Sequence, residues 1–373
     1  MHMRSVAFRL FLGFSALWST VGAHGSEAKQ ILSLLDTQKS VRGLNALICG
    51  VWRDGKPIVE VALGNSMVNV PATRQMNYRV GGVTYTCVAT LLLMFADQGR
   101  LSLSDPVSKW FPDLPDAEKV TLAMLANCTS GYADYVLYKP FVDDYVRDPF
   151  QQFSSADLLR YAFATPKHYE PGKGWNYSHT NFVILGDILA KVGKQPLRLL
   201  LDQYIFKPLK LRNTYVPTNS LIREPALHAY THDRGVYEDS TAWNPSWTRE
   251  AGMLVSNVRD LGVLAQALGT GRFLSRMSFE TQIAPTSVGL GGNRASMYYG
   301  YGVILLNGWF AQNPNLCGYS TMFGYLPSKK IAITITTTKG PKSDPDGGAD
   351  SPPIFREIAK LLAPGNPIPD SLK

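Results

Sequence analysis

Residues 78–106 read YRVGGVTYTCVATLLLMFADQGRLSLSDP, from Tyr78 to Pro106. A short apolar run, Tyr78 to Val80, ends at Gly81-Gly82. From there to Gln98 the chain is rich in Ala, Leu, Val and Met, and this predicts a long helix over Gly82–Gln98. Gly99 is a natural stop, with Arg100 just beyond it. The stretch is therefore a strand, a glycine-rich turn and a helix. The N-terminus of such a helix favours developing negative charge. Positions i and i+3 share a face, so a nucleophile at the first turn and a base one turn later would meet there. The helix opens at Gly82, which has no side chain, and three residues on stands Tyr85, a phenol. A phenol, with a reference pKa near ~10, is a poor general base.

The setting closely resembles the active-site helix of the serine β-lactamase and penicillin-binding-protein superfamily, in its class C β-lactamase and D-alanyl-D-alanine carboxypeptidase branch. That family opens the helix with Ser-x-x-Lys in a context like F-R-I-G-S-V-T-K-T and follows it with G-x-L-x-L-x-D-P. Arg79, Val80, Gly81, Val83, Thr84 and Thr86 keep the first context, and Gly99, Leu101, Leu103, Asp105 and Pro106 keep the second. Gly82 stands at the serine position and Tyr85 at the lysine position.

Further ordered matches extend the resemblance over residues 29–362. Cys128-Thr129-Ser130-Gly131 is similar to H-T-S-G, and Asp134-Tyr135 to the D-Y that follows it. Pro171 to Phe182 is similar to P-G-x-x-F-x-Y-S-N-x-N-Y. This places Tyr177 at the second catalytic position and His179 at that motif's asparagine. Lys207 to Thr214 resembles a packing turn, and Ala251-Gly252-Met253 with Ser256, Asp260 and Leu261 resembles A-G-G-L-x-S-T-x-x-D-L. The third motif, H-x-G or K-T-G, falls by spacing on Gln312-Asn313-Pro314, ahead of Gly318-Tyr319-Ser320. Thr338-Lys339-Gly340 follows the wrong strand and reads as a solvated turn.

The resemblance implies an α+β fold: an antiparallel sheet flanked by helices, built from both chain ends, with a mostly helical lobe inserted. The α/β lobe is expected at about 26–80 and 290–373 and the helical lobe at about 81–289, within one domain, 24–373. The residues agree with this layout. Leu44–Trp52, Asp54-Gly55 and Pro57–Leu63 read as a hairpin. Ser155–Ala164, a stretch through Leu189, and Gln195–Ile205 read as helices. Tyr298–Leu306, Gly318–Pro327 and Lys330–Thr338 read as strands, and Ile354–Leu362 as a closing helix.

The first 23 residues read as a secretory signal: Arg4 and Arg9, an apolar core from Leu10 to Val21, and a small-residue site at Val21-Gly22-Ala23. The first amphipathic helix then begins at about Ser26. A secreted or periplasmic location is expected. Hydrophobic content of 45% and charged content of 18% describe a globular chain. There is no apolar run of about 18 residues, so no transmembrane span is expected. The net charge of +8 is spread without an arginine-rich arm, which argues against nucleic acid. Cys49, Cys87, Cys128 and Cys317 show no C-x-x-C or metal spacing. No cofactor and no metal are expected, and the cysteines read as buried thiols.

The candidate catalytic residues are Tyr85, Tyr177 and His179. The candidate ligand contacts are Gly82, Gln312, Asn313 and Trp243. Trp243 belongs to the aromatic loop Trp243–Trp247, which reads either as a pocket mouth or as a pair of buried anchors. Three functions follow. One is a non-acylating protein for a small-molecule or peptidoglycan-like ligand. The second is an enzyme with a rebuilt Tyr/His acid–base site. The third is a serine hydrolase, carboxypeptidase or esterase using a nucleophile that the motifs do not identify.

Overall fold

The computed structural model describes residues 15–344 and 348–369, with side chains from residue 25. Of the leader expected at 1–23, residues 1–14 lie outside the described residues. A helix runs from Ser15 to Val41, with Ile31 and Leu35 fully buried.

One antiparallel sheet organises the molecule. From edge to edge its strands are Val70–Pro71, Lys56–Met67, Ala46–Arg53, Ile331–Thr338, Tyr319–Leu326, Trp309–Gln312, Ile304–Leu306 and Met297–Tyr299, with Asn315–Leu316 paired to one end of Tyr319–Leu326. The two central strands come from opposite ends of the chain. Ala46 pairs with Thr338 and Arg53 with Ile331. Both are buried on both faces, and side chains alternate between faces with period two. Leu47, Cys49, Val51, Ile331, Ile333 and Ile335 therefore join the core under the helices Ser15–Val41 and Ser351–Leu362. Ala46, Ile48 and Ala332 join the larger core on the other face. There the helix Val258–Gly269 crosses the sheet.

The central helix is Val83–Asp97, with Gly82 as its N-cap and Gln98 as its C-cap. It is buried on all sides from Val83 to Leu93, as expected of a helix that is apolar all round. Its polar side chains are satisfied, as buried ones must be. The Thr84 hydroxyl donates to the Gly81 carbonyl at 2.7 Å, and the Thr86 hydroxyl donates to the Gly302 carbonyl at 2.6 Å. The Gly302 carbonyl also accepts from Gln312 Nε2 at 2.8 Å. Gly302 thus ties the first turns of the helix to the strand that ends at Gln312. It has φ +64°, and a Cβ there would lie 2.5 Å from the Tyr85 carbonyl oxygen, so only glycine fits.

The fold is α+β, as expected. One strand reading differs, and two elements were not read from the sequence. Tyr298–Leu306 is two short strands, Met297–Tyr299 and Ile304–Leu306, folded back on each other, because Gly300 and Gly302 permit a tight reversal. Trp309–Gln312 is a strand of its own, paired with its neighbours on both sides. Lys139–Arg147 is a helix. Among the described residues, no helix is long and apolar enough to cross a membrane. All four cysteines are free and buried.

Candidate functional site

The turn Gly81-Gly82 brings the start of the central helix against the segment after Gln312. Gly81 has φ +40°, and a Cβ on it would come within 2.9 Å of Pro314 Cβ. Between these two segments and the helix His179–Gly193 lies a cavity of about 310 Å³. Six aromatic side chains line it: Tyr85, Trp175, Tyr177, Trp247, Tyr298 and Tyr299. Gly82, His179, Gln312, Asn313 and Asn315 also contribute to the wall. No lysine, arginine, aspartate or glutamate is among the described residues of the lining.

Tyr85 fills the lysine position by packing. It is 2% exposed, and its ring stacks on Phe182 with centroids 4.0 Å apart and 17° between planes. Tyr177 lies 6.1 Å and His179 5.9 Å from it, centroid to centroid. Burial pushes the Tyr85 phenol well above its ordinary value of 10.0; the charge of Asp134 pushes the same way, and a hydrogen bond with Tyr177 opposes both. Burial likewise raises Tyr177 well above that value, helped by Tyr85, Tyr299 and Asp134. Both phenols are therefore neutral at physiological pH. They can donate a proton in a hydrogen bond, but neither is poised as a phenolate base.

Gly82 keeps a helical backbone at φ −61° and ψ −6°. A Cβ added there would meet Tyr85 at 3.5 Å and the Tyr177 hydroxyl at 3.6 Å. These are ordinary contacts, so a small side chain would fit. Its absence leaves no group to acylate at position 82 itself.

His179 is the first residue of the helix His179–Gly193. Its Nδ1 lies 2.9 Å from Asp134 Oδ2 and 3.2 Å from Oδ1. Its backbone N–H also donates to Asp134 Oδ1, at 3.2 Å. The Asp134 side chain is 3% exposed and His179 18%. The acid thus fixes one face of the imidazole, so the ring's other nitrogen is the one left free for the cavity. The His179 ring also contacts Tyr177 at 5.2 Å and Trp247 at 5.8 Å. A carboxylate orienting an imidazole beside two neutral phenols can position and move a proton.

Tyr85, Tyr177, His179, Gly82, Gln312 and Asn313 thus meet at one cavity. Trp243 does not. It is 1% exposed and packs edge-on against Tyr145 at 5.8 Å, beside Leu316 and Cys317. Trp247 lines the cavity in its place. The turn Pro245–Thr248 and the Tyr135 hydroxyl, which donates to the Trp247 carbonyl at 2.5 Å, set that orientation. Asp134 was legible only as part of a scaffold match, and its pairing with His179 is a tertiary fact. Cys128, at the histidine position of that same motif, is structural. It has φ +61°, its carbonyl accepts from the Tyr169 hydroxyl at 3.0 Å, and burial pushes its thiol up to about 12. Among the described residues no group of three or more His, Cys, Asp or Glu could hold a metal ion.

Comparison with known proteins agrees with the fold. The family model described as Beta-lactamase matches residues 30–351. Putative penicillin-binding protein PbpX of Bacillus subtilis (strain 168) is 23% identical over 263 residues, covering 69% of this chain and 61% of that protein. Penicillin-binding protein 4* of the same organism is 26% identical over 266 residues, covering 66% of this chain and 57% of that protein. The chain thus spans less than two thirds of the length of these curated relatives. Among solved structures, a D-stereospecific amidohydrolase from Streptomyces sp. superposes with a TM-score of 0.78 at 26% identity, covering 91% of this chain and 98% of that one.

Proposed function

The chain belongs to the Beta-lactamase family, and from that membership we propose that it is a non-acylating member that holds a small carbonyl compound in the cavity between Gly82 and Gln312. The observation that carries this reading is Gly82: the position at which relatives with Ser-x-x-Lys carry their serine has no side-chain oxygen or sulfur to take an acyl group. The ligand is a small carbonyl compound or a peptidoglycan-like fragment without a carboxylate anchor, since the described lining holds no lysine or arginine. Stacking on Tyr85 and Tyr177 replaces that anchor, each aromatic pair contributing roughly 0.5–1.5 kcal/mol.

Intact-mass analysis after incubation with a penicillin or a fluorophosphonate tests this. No adduct is expected at residues 81–86. An adduct mapped to any of them rejects the reading, and a stable adduct elsewhere favours a hydrolase with another nucleophile.

A second reading rests on the Asp134–His179 pair. His179 is the proton acceptor, and Tyr85 and Tyr177 are hydrogen-bond donors to a carbonyl oxygen, without a covalent intermediate. Turnover of a carbonyl substrate that is lost in His179→Gln, with binding retained, would select it over a purely binding role.

We also propose export, on the basic start, apolar core and Val21-Gly22-Ala23. N-terminal sequencing of the exported protein should begin at about His24. A membrane-bound exported form that retains Met1 would reject cleavage.

A further inference from the structure

We infer that the cavity takes a small organic cation, an alkylammonium group, held against its aromatic walls, with the buried carboxylate of Asp134 behind His179. The inference rests on the reading of the cavity as a ligand site and adds the charge of the ligand.

Two features carry it. The first is the wall. Five rings follow one another along the cavity wall: Trp247 to His179 at 5.8 Å, His179 to Tyr177 at 5.2 Å, Tyr177 to Tyr299 at 6.0 Å, and Tyr299 to Trp175 at 5.8 Å. Aromatic faces carry a negative quadrupole, and a ring of them is the recognised way to hold an ammonium group whose charge no single acid neutralises. The second is the sign of the nearby charge. Asp134 has one ion-pair partner among the described residues, His179, which is charged only when protonated. With a neutral imidazole the site therefore lies in the field of one uncompensated carboxylate. That field reaches the wall, because Asp134 is among the groups that raise the Tyr85 and Tyr177 phenols. Two cations that adjoin the lining in sequence are bonded elsewhere: Arg249 to the Ser155 hydroxyl at 3.0 Å and the Phe153 carbonyl at 3.3 Å, and the buried Arg79 to the carbonyls of Ser220, Thr241 and Trp243. A carboxylate ligand meets repulsion here, a neutral one meets contact surface alone, and a cation gains from both the rings and the acid.

Three probes of nearly one shape separate these cases: choline, 3,3-dimethylbutan-1-ol and 3,3-dimethylbutanoate, each titrated calorimetrically into the full chain. Choline is expected to bind about tenfold or more tightly than the alcohol, and the carboxylate most weakly. Trp247→Leu and Tyr298→Leu keep apolar bulk and remove the π-face. Each should lower choline affinity by a larger factor than the alcohol's, which loses contact surface alone. Equal binding of choline and the alcohol, tighter binding of the carboxylate, no choline binding at millimolar concentration, or choline binding untouched by both variants overturns the inference. An acyl adduct at residues 81–86 together with an intact choline preference would instead overturn the non-acylating reading and leave the ligand's charge standing.

Discussion

Tyr85→Ala is expected to lower the unfolding free energy by about 3–5 kcal/mol, the range for emptying a buried aromatic site. Tyr85→Phe should stay within about 1.5 kcal/mol of the parent, the usual cost of a near-isosteric swap in a core. The contrast follows from the setting. The ring is 2% exposed and stacks face to face on Phe182, while its hydroxyl serves one hydrogen bond, with Tyr177. Denaturant melts of the two variants measure it. A mild Tyr85→Ala would mean that the cavity wall collapses easily and that the phenol is not a structural replacement for lysine. A severe Tyr85→Phe would move the weight to the hydroxyl and so to the Tyr85–Tyr177 pair. If Tyr85→Phe and Tyr177→Phe both keep full affinity for whatever ligand the cavity binds, the rings act through their faces. The cavity chemistry then rests on His179 and Asp134.

The same residues show what could be read without coordinates. The glycine turn, the central helix and the hairpin follow from local pattern, because apolar runs, caps and turn residues act over a few positions. Helix bounds predicted at Gly82–Gln98 and observed at Val83–Asp97 differ by one residue at each end. The convergence of Tyr85, Tyr177 and Gln312 came through ordered motifs, since those positions are fixed to one another by the fold they share. Three things had no local signal. Trp243 and Trp247 are chemically alike and four residues apart, and only the turn between them and the Tyr135 hydroxyl decide which one faces the cavity. Asp134 and His179 are 45 residues apart and are joined by the packing of a short 3₁₀ turn on a helix start. The direction of the tyrosine pKa shifts depends on burial, which sequence cannot give. It turns out to raise both phenols and so removes a phenolate base from consideration.

Restoring the two family residues is expected not to restore acylation. Gly82→Ser should fold normally. The backbone is helical and the new Cβ meets only ordinary contacts, so its stability should lie within about 1 kcal/mol of the parent. Its hydroxyl would sit near the Tyr177 hydroxyl, a neutral group that does not accept its proton as a phenolate would. Base catalysis typically contributes about 10²–10⁴-fold, and without it a serine reacts slowly with penicillin. Adding Tyr85→Lys supplies an amine but puts it where a ring now stacks on Phe182. Burying an incompletely paired ammonium there is expected to cost about 3–5 kcal/mol, with Asp134, already held by His179, the nearest acid. The third segment also lacks a cation, and the Gln312 amide is committed to the Gly302 carbonyl. Groups that act as a unit do not recover singly, so the double variant should show a lowered melting temperature and no penicilloyl adduct. The informative exception is Gly82→Ser alone. If that single variant is acylated, a proton acceptor already stands beside Gly82, and the Asp134–His179 pair is the group placed to supply it. Loss of the adduct on adding His179→Gln would then establish His179 as a base and select the acid–base reading over simple binding.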